Sequence, residues 1–345
     1  MAGGSQVGSQ SLLSSGQAGE GRGRTEDQRR PASELTPVKL GAVLKWVPRG
    51  ARVATSALLS KLVQNVVSSP QDVEVWRRLT GFAGGALRKP PRGGKTRNLT
   101  GAVLKSVAAY ASGDSAVEGR GGEDEHRFWR SQGGKPDTDE SIARRASSKL
   151  GEGDVKGAVR ILCSGSKVAA CNATNLEALA RLHPPSPTTR RPAPPNTTPP
   201  LMVDTETVLA AVRSFPSGTA GGPDGLRPQH LRDLLCGGET SGQLLEHITA
   251  LINLLLTGLS IPGEVRRFVF GGSLMALTKE GGGLRPIAVG GTWRRLASKV
   301  CVQHALPKAA QFLAPKLGFG VGGDARPQLT QQEGTLRTYH RTAFW

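Results

Sequence analysis

Residues 268–289 read FVFGGSLMALTKEGGGLRPIAV. Two apolar runs, Phe268 to Thr278 and Leu284 to Val289, flank the turn Lys279-Glu-Gly-Gly-Gly283, and short apolar runs around a glycine turn predict a β-hairpin. Both sides of it read as helix. Downstream, a helix from about Thr292 to Phe312 places Trp293, Leu296, Val300 and Ala305 on one side, with Pro307 expected to break or kink it. Upstream, residues 243–256 repeat Leu244, Leu245, Ile248, Leu251, Ile252, Leu255 and Leu256, enough for a buried helix that Gly258 and Pro262 stop. Ahead of that, Asp204 caps a helix through Arg213 with Val208, Leu209 and Val212 inward, a glycine-rich turn covers Ser217–Gly225, and Pro228 opens the next helix. The expectation is an α+β fold, mostly helical, with one hairpin.

Further out, Leu58, Leu59, Leu62, Val63 and Val66 recur at three and four and share a helical face. Ser69-Pro70 is expected to start a second helix, with Asp72 complementing its dipole and Trp76, Leu79, Ala83 and Ala86 as its stripe. The basic loop Arg88 to Arg97 leads to a third helix, about Gly101 to Ala111, expected to bury Val103, Leu104, Val107 and Ala108 and to leave Lys105 outside. Short helices follow at 140–150 and 154–163, and Thr174-Asn-Leu-Glu177 has capping-box spacing for a third that ends by His183.

These pieces suggest an order of segments. Residues 1–45 have little to bury and read as disordered; 46–112 form a basic helical segment; 113–140, acidic and glycine-rich, form a linker. Short helices occupy 141–183. Eight prolines between Pro184 and Pro200 make 184–202 an extended spacer and the main expected domain boundary, before a domain at 203–323 and a tail at 324–345.

The 345 residues carry 45 Lys+Arg against 27 Asp+Glu, a net charge of +18, and the 46 glycines and 23 prolines make up a fifth of the chain. The charge is clustered: residues 41–112 hold 12 bases and 2 acids, residues 266–326 hold 10 and 2, and the remainder sums to zero. Such blocks suit a polyanion, because each neutralised phosphate releases counterions. The start lacks the layout of a secretory signal and no apolar run is long enough for a membrane span, so the expected location is intracellular, nucleus or cytoplasm, with no membrane partner. Cys163, Cys171, Cys236 and Cys301 fit neither a disulfide framework nor a zinc module. The chain has no Gly-x-Ser-x-Gly, no His-x-x-x-His and no Walker lysine loop, which leaves hydrolase, triphosphatase and zinc chemistry without residues.

The ordered combination SFPSGTAGGPDGLRPQHLRDLL (214–235), SLMALTKEGGGLRPIAVGGTWRRLASKV (273–300) and LAPKLGFGVGG (313–323) resembles the reverse transcriptase of non-LTR (LINE-like) retrotransposons, over its fingers and the entry to its palm. Segments 46–112 and 141–200 look like the region that precedes the polymerase in the same elements. The resemblance implies a partial right-hand fold, with RNA template and DNA primer as partners. It also implies roles. Arg285, in Leu-Arg-Pro-Ile, matches the basic residue that meets the incoming triphosphate, a task suited to a permanently charged fork, or is a surface strand arginine. Lys279 is the second triphosphate candidate, or an exposed turn lysine. Gly222, Pro223, Asp224 and Gly225 match the first fingers motif, near the template; Asp224 can equally close an Asx turn or cap the next helix. Arg294, Arg295 and Lys299 are candidates for nucleic-acid backbone contacts, or a solvated helix face.

The family's catalytic residues have no counterpart. Two-metal phosphoryl transfer needs carboxylates around two Mg²⁺ ions. The family takes them from a palm strand and a Tyr-x-Asp-Asp turn, whereas this sequence has no Asp-Asp dipeptide and departs from the pattern at about Gly323. Asp324 is a lone carboxylate in the wrong motif. The expectation is a fragment truncated before the catalytic motifs, with no catalytic residue, no metal ligand, no Mg²⁺ held by the chain, and deoxynucleotide bound weakly or not at all. The alternative is a non-catalytic nucleic-acid-binding protein or a pseudogene product. A relic would leave the apolar face of helix 243–256 uncovered, the first palm strands being absent.

Overall fold

The computed structural model describes residues 42–90, 98–113, 138–163, 168–170, 172–182, 199–236, 238–257, 261–279 and 281–313. The helices are α1 (Arg52–Ser68), α2 (Val73–Ala86), α3 (Leu99–Ala111), α4 (Asp139–Gly151), α5 (Val155–Cys163), α6 (Ala173–Leu182), α7 (Thr205–Arg213), α8 (Pro228–Leu234), α9 (Glu239–Thr257), α10 (Gly263–Val269) and, after the hairpin β1 (Gly272–Thr278) and β2 (Leu284–Gly290), α11 (Thr292–Leu313). The described part is mostly helical with one antiparallel two-stranded sheet, an α+β arrangement. Of the segments expected to be disordered or linking, residues 1–41, 114–137, 184–198 and 324–345 lie outside the described residues, as does the end of the expected domain, 314–323.

Helices α2 to α7 each begin at a side-chain oxygen that accepts from a first-turn amide: Asp72 from Glu74, Asn98 from Gly101, Thr138 from Ser141, Asp154 from Gly157, Asn172 from Asn175 and Asp204 from Thr207. Two expectations change accordingly. α2 starts after Asp72 rather than at Pro70, whose carbonyl instead accepts from the Trp76 indole at 2.9 Å. α6 is capped by Asn172, one residue before the helix, not by Thr174 within it.

One core unites segments that the sequence separates. Leu59, Val63 and Val66 of α1 and Leu244, Ile248, Leu251 and Ile252 of α9 are fully buried in a cluster that also takes in α2, α3, α7 and the first half of α11. α1 lies along α9, and Ser56 Oγ bonds the Thr240 carbonyl at 3.3 Å while Ser60 Oγ meets His247 Nδ1 at 2.7 Å. The face of helix 243–256 is therefore covered, by α1 from the amino-terminal segment. The Pro-rich stretch joins two parts of a shared core.

On α3 the buried side chains are Val103, Val107 and Tyr110, while Leu104 and Ala108 are exposed, contrary to expectation. The Tyr110 ring lies over Gly81 and Gly85 of α2, where an added Cβ would come within 2.7 Å of its hydroxyl and 2.3 Å of its ring. Its hydroxyl donates to the Arg78 carbonyl at 2.7 Å. A tyrosine over a glycine pair sets the close approach of the two helices and hence which stripe of α3 turns inward.

α8 fixes the segment ahead of α1. His230, fully buried, accepts the Arg227 amide at Nδ1 (3.2 Å) and donates from Nε2 to the Leu44 carbonyl (2.8 Å), which defines a neutral ring. Burial pushes its pKa down to about 4. Asp233 accepts the Val47 amide at 2.9 Å and Arg52 Nη2 at 2.8 Å. α11 buries Trp293, Leu296 and Val300 as expected, but it continues past Pro307, and Ala305 is exposed along with everything from Cys301 to Lys308. On a helix surrounded by water, the carbonyl that proline leaves unbonded can be solvated.

Candidate nucleic-acid interface

The loop Ser214–Arg227 connects α7 to α8 and is pinned at its ends by buried Phe215 and Leu226. Between them its course requires glycine. Gly218 and Gly225 have φ of 70° and 72°, and a Cβ on Gly221 would meet the Gly225 carbonyl oxygen at 2.8 Å. Gly222 meets the end of β2: a Cβ there would lie 2.4 Å from the Gly291 Cα and 2.9 Å from the Gly290 oxygen. The Gly-Gly-Pro-Asp-Gly turn thus rests, backbone on backbone, against the junction of β2 and α11. Thr292 at that junction donates to the Leu226 carbonyl.

Asp224 points inward, 8% exposed, with Oδ1 accepting the Leu226 amide at 3.2 Å in an Asx turn. Burial pushes its pKa up to about 6, against the opposing pull of the Leu226 amide and of Arg295. Arg295 donates from Nη2 to the Ala220 carbonyl at 2.6 Å and to Thr292 Oγ1 at 3.2 Å, and its Nε, buried, has no hydrogen-bond partner among the described residues. Burial lowers the guanidinium pKa. Arg295 and Lys299 both lie over the Phe215 ring, 5.9 and 5.1 Å from its centroid. Arg294, exposed, donates to the carbonyl of Phe270 at 2.7 Å, where α10 ends. Arg295 and Lys299 of α11 and Phe215 and Ala220 of the Ser214–Arg227 loop, 75 or more residues apart in sequence, are thus brought together, while Arg294 turns to the end of α10.

Lys279 and Arg285 belong to the hairpin. Leu277 pairs with Arg285 in the ladder, so alternation puts 275, 277 and 279 on the same face as 285 and 287. Both cations are exposed, and the Lys279 amide closes the turn onto the Gly283 carbonyl at 3.1 Å, with Gly282 and Gly283 at φ of 86° and 82°. At about 3.3 Å per residue Arg285 stands roughly 17 Å out from the joint at Gly290, so the two candidate groups are apart within one molecule. The other face carries Ala276 and Pro286, opposite each other. Val168 makes an isolated β-bridge to Leu277, and the Ala169 amide bonds the Ala276 carbonyl at 2.9 Å, along the edge of β1.

A second cluster of cations was not visible in the sequence. Lys45, Lys149 and Arg227 meet the carboxylate of Glu152 at the corner between α4 and α5. Its members lie up to 182 residues apart, from Lys45 to Arg227, and only the two acids of Glu152-Gly-Asp154 between two helices hinted at a docking corner. Phe215 as a platform for two cations was equally unmarked.

Among the described residues no group of three or more His, Cys, Asp or Glu side chains could hold a metal ion, and none of their helices is long and apolar enough to cross a membrane. Asp324 lies outside the described residues. Comparison with known proteins finds no matching family model, no matching curated protein and no matching solved structure.

Proposed function

We propose that this chain is a nucleic-acid-binding part of a reverse transcriptase of the non-LTR retrotransposon kind, carrying fingers rather than catalytic carboxylates. The observation that carries the reading is the contact of the Gly221–Gly225 turn with the Gly290–Thr292 junction, because it unites two of the motifs on which the resemblance rests. In this reading the cations of α11 take the phosphate backbone of an RNA template and DNA primer, and the hairpin presents Lys279 and Arg285 to a nucleoside triphosphate. Arg285 is exposed and permanently charged, as that role requires. The residues do not fit a pair of Mg²⁺ ions. Asp224 is the one acid beside the turn, and it is buried and drawn toward its neutral form. Phosphoryl transfer therefore needs palm carboxylates from elsewhere, and the activity of these residues is binding.

The test is equilibrium binding of the purified chain to a labelled RNA template annealed to a DNA primer, over a range of salt, with deoxynucleotides and Mg²⁺ added. Affinity should fall steeply with salt, the slope counting about 0.7–0.9 per phosphate neutralised, and the primer should not be extended. Absence of binding at low salt overturns the reading; extension overturns the assignment of the carboxylates to another segment.

A further inference from the structure

Three cations from separate parts of the chain converge on Glu152, whose side chain is 10% exposed. Lys45, ahead of α1, pairs with Oε1 and also reaches Ser148. Lys149, at the end of α4, and Arg227, at the start of α8, stand 3.9 and 3.8 Å from Oε2. Lys149 also donates to the Gly218 carbonyl at 2.9 Å and pairs with Asp154 at 3.1 Å. The carboxylate oxygens are divided among positive groups much as the free oxygens of a phosphate would be.

The helices that bring Glu152 here are loosely held. The buried side chains of α4 and α5 are Ala146 and Ala158, and neither belongs to the main core. Hydrogen bonds and ion pairs of the corner tie this pair of helices to Lys45, Gly218 and Arg227. Partly exposed ion pairs are weak and screened by salt, so a denser anion competes with them effectively. The cluster also adjoins the Ser214–Arg227 loop on which Arg295 and Lys299 sit.

We propose that Lys45, Lys149 and Arg227 form a further binding site for nucleic-acid backbone phosphate, and that Glu152 occupies it in the free protein as an internal substitute that nucleic acid displaces. The inference rests on the nucleic-acid reading above. The test is Glu152→Gln, compared with the unaltered chain in binding to the same labelled RNA–DNA hybrid. Lys149 keeps Asp154, so two cations are released; the salt slope should steepen by about 1.5 and affinity at low salt should rise about tenfold. A merely structural ion pair predicts unchanged or weaker binding, which overturns the proposal. A variant that does not fold shifts the decision to the unaltered chain: amide exchange at Gly153 and Asp154, bonded to Leu150 and Lys149, should quicken when nucleic acid binds, and slowed or unchanged exchange overturns the proposal. Failure of the unaltered chain to bind at all defeats the functional reading instead.

Discussion

Asp224 shows how a residue's environment reverses what its type suggests. A carboxylate beside glycines in a basic region reads as a polar contact or a turn former; the structure makes it an Asx turn and buries it under α11. The turn was legible from Pro-Asp-Gly, but the burial was not, since it depends on a helix 70 residues away. Its pKa, about 6 against an ordinary 3.8, makes a contribution to stability that is present below pH 3.8 and lost as pH rises through 6. His230 works in the opposite sense: lowered from 6.5 to about 4, its contribution is present above pH 6.5 and lost as pH falls through 4. The two oppose each other across the acid range. Asp224→Asn keeps the acceptor for Leu226 and removes one side of this balance. The variant should be about 2 kcal/mol more stable than the parent at pH 7.5, with the advantage gone by pH 4, as read from urea unfolding at both pH values. A difference that stays constant with pH would falsify the buried-carboxylate account.

Most elements were legible, because apolar spacing and caps are local. α1 and α2 bury the side chains that their periodicity selects, and α7 and α9 do so except at Leu209, Leu245 and Leu256, which are half-buried. α3 was misread because Val103-Leu104 and Val107-Ala108 offer two adjacent stripes, and the choice between them is made by Tyr110 settling over Gly81 and Gly85 of α2. α11 outlasts Pro307 along a stretch, Cys301 to Lys308, that is exposed among the described residues. The hairpin was legible from its glycine turn, but the bridge along its edge was not: Val168–Ala170 is too short to carry a pattern. That bridge bears on the site, since it borders the ladder that presents Lys279 and Arg285. Ala169→Pro removes the donor to the Ala276 carbonyl without touching a side-chain contact of the main core. Amide exchange should quicken through Gly272–Gly290 while α1 and α9 remain protected; unaltered exchange in the hairpin would show that the bridge does not steady it.

At the scale of the whole molecule, the basic helices 52–111 and the described part of residues 199–313 share one core. A proline-rich spacer ordinarily marks independence. Here the periodic face of α9 announced burial without naming its partner, and α1, nearly 190 residues earlier, supplies it. A chain limited to residues 199–313 should therefore lack a closed core: Leu244, Ile248, Leu251 and Ile252 would lose the cover of α1. It should bind a dye that reports exposed apolar surface and show no cooperative thermal transition, whereas the full chain should show one. A sharp transition from the shorter chain would mean that the spacer does separate two domains.

The joint between the Gly221–Gly225 turn and the hairpin carries a consequence for how such a protein can change over generations. It is made by main-chain atoms of Gly222, Gly290 and Gly291, so its shape does not depend on the identity of any side chain in the strands. Substitutions along β1 and β2 can alter what the hairpin touches without moving its base, while a single methyl group at Gly222 would collide with the backbone opposite. Drift in this lineage should accordingly spare the glycines and fall on the strand residues between them, leaving the hairpin free to acquire new partners at a constant angle to the body.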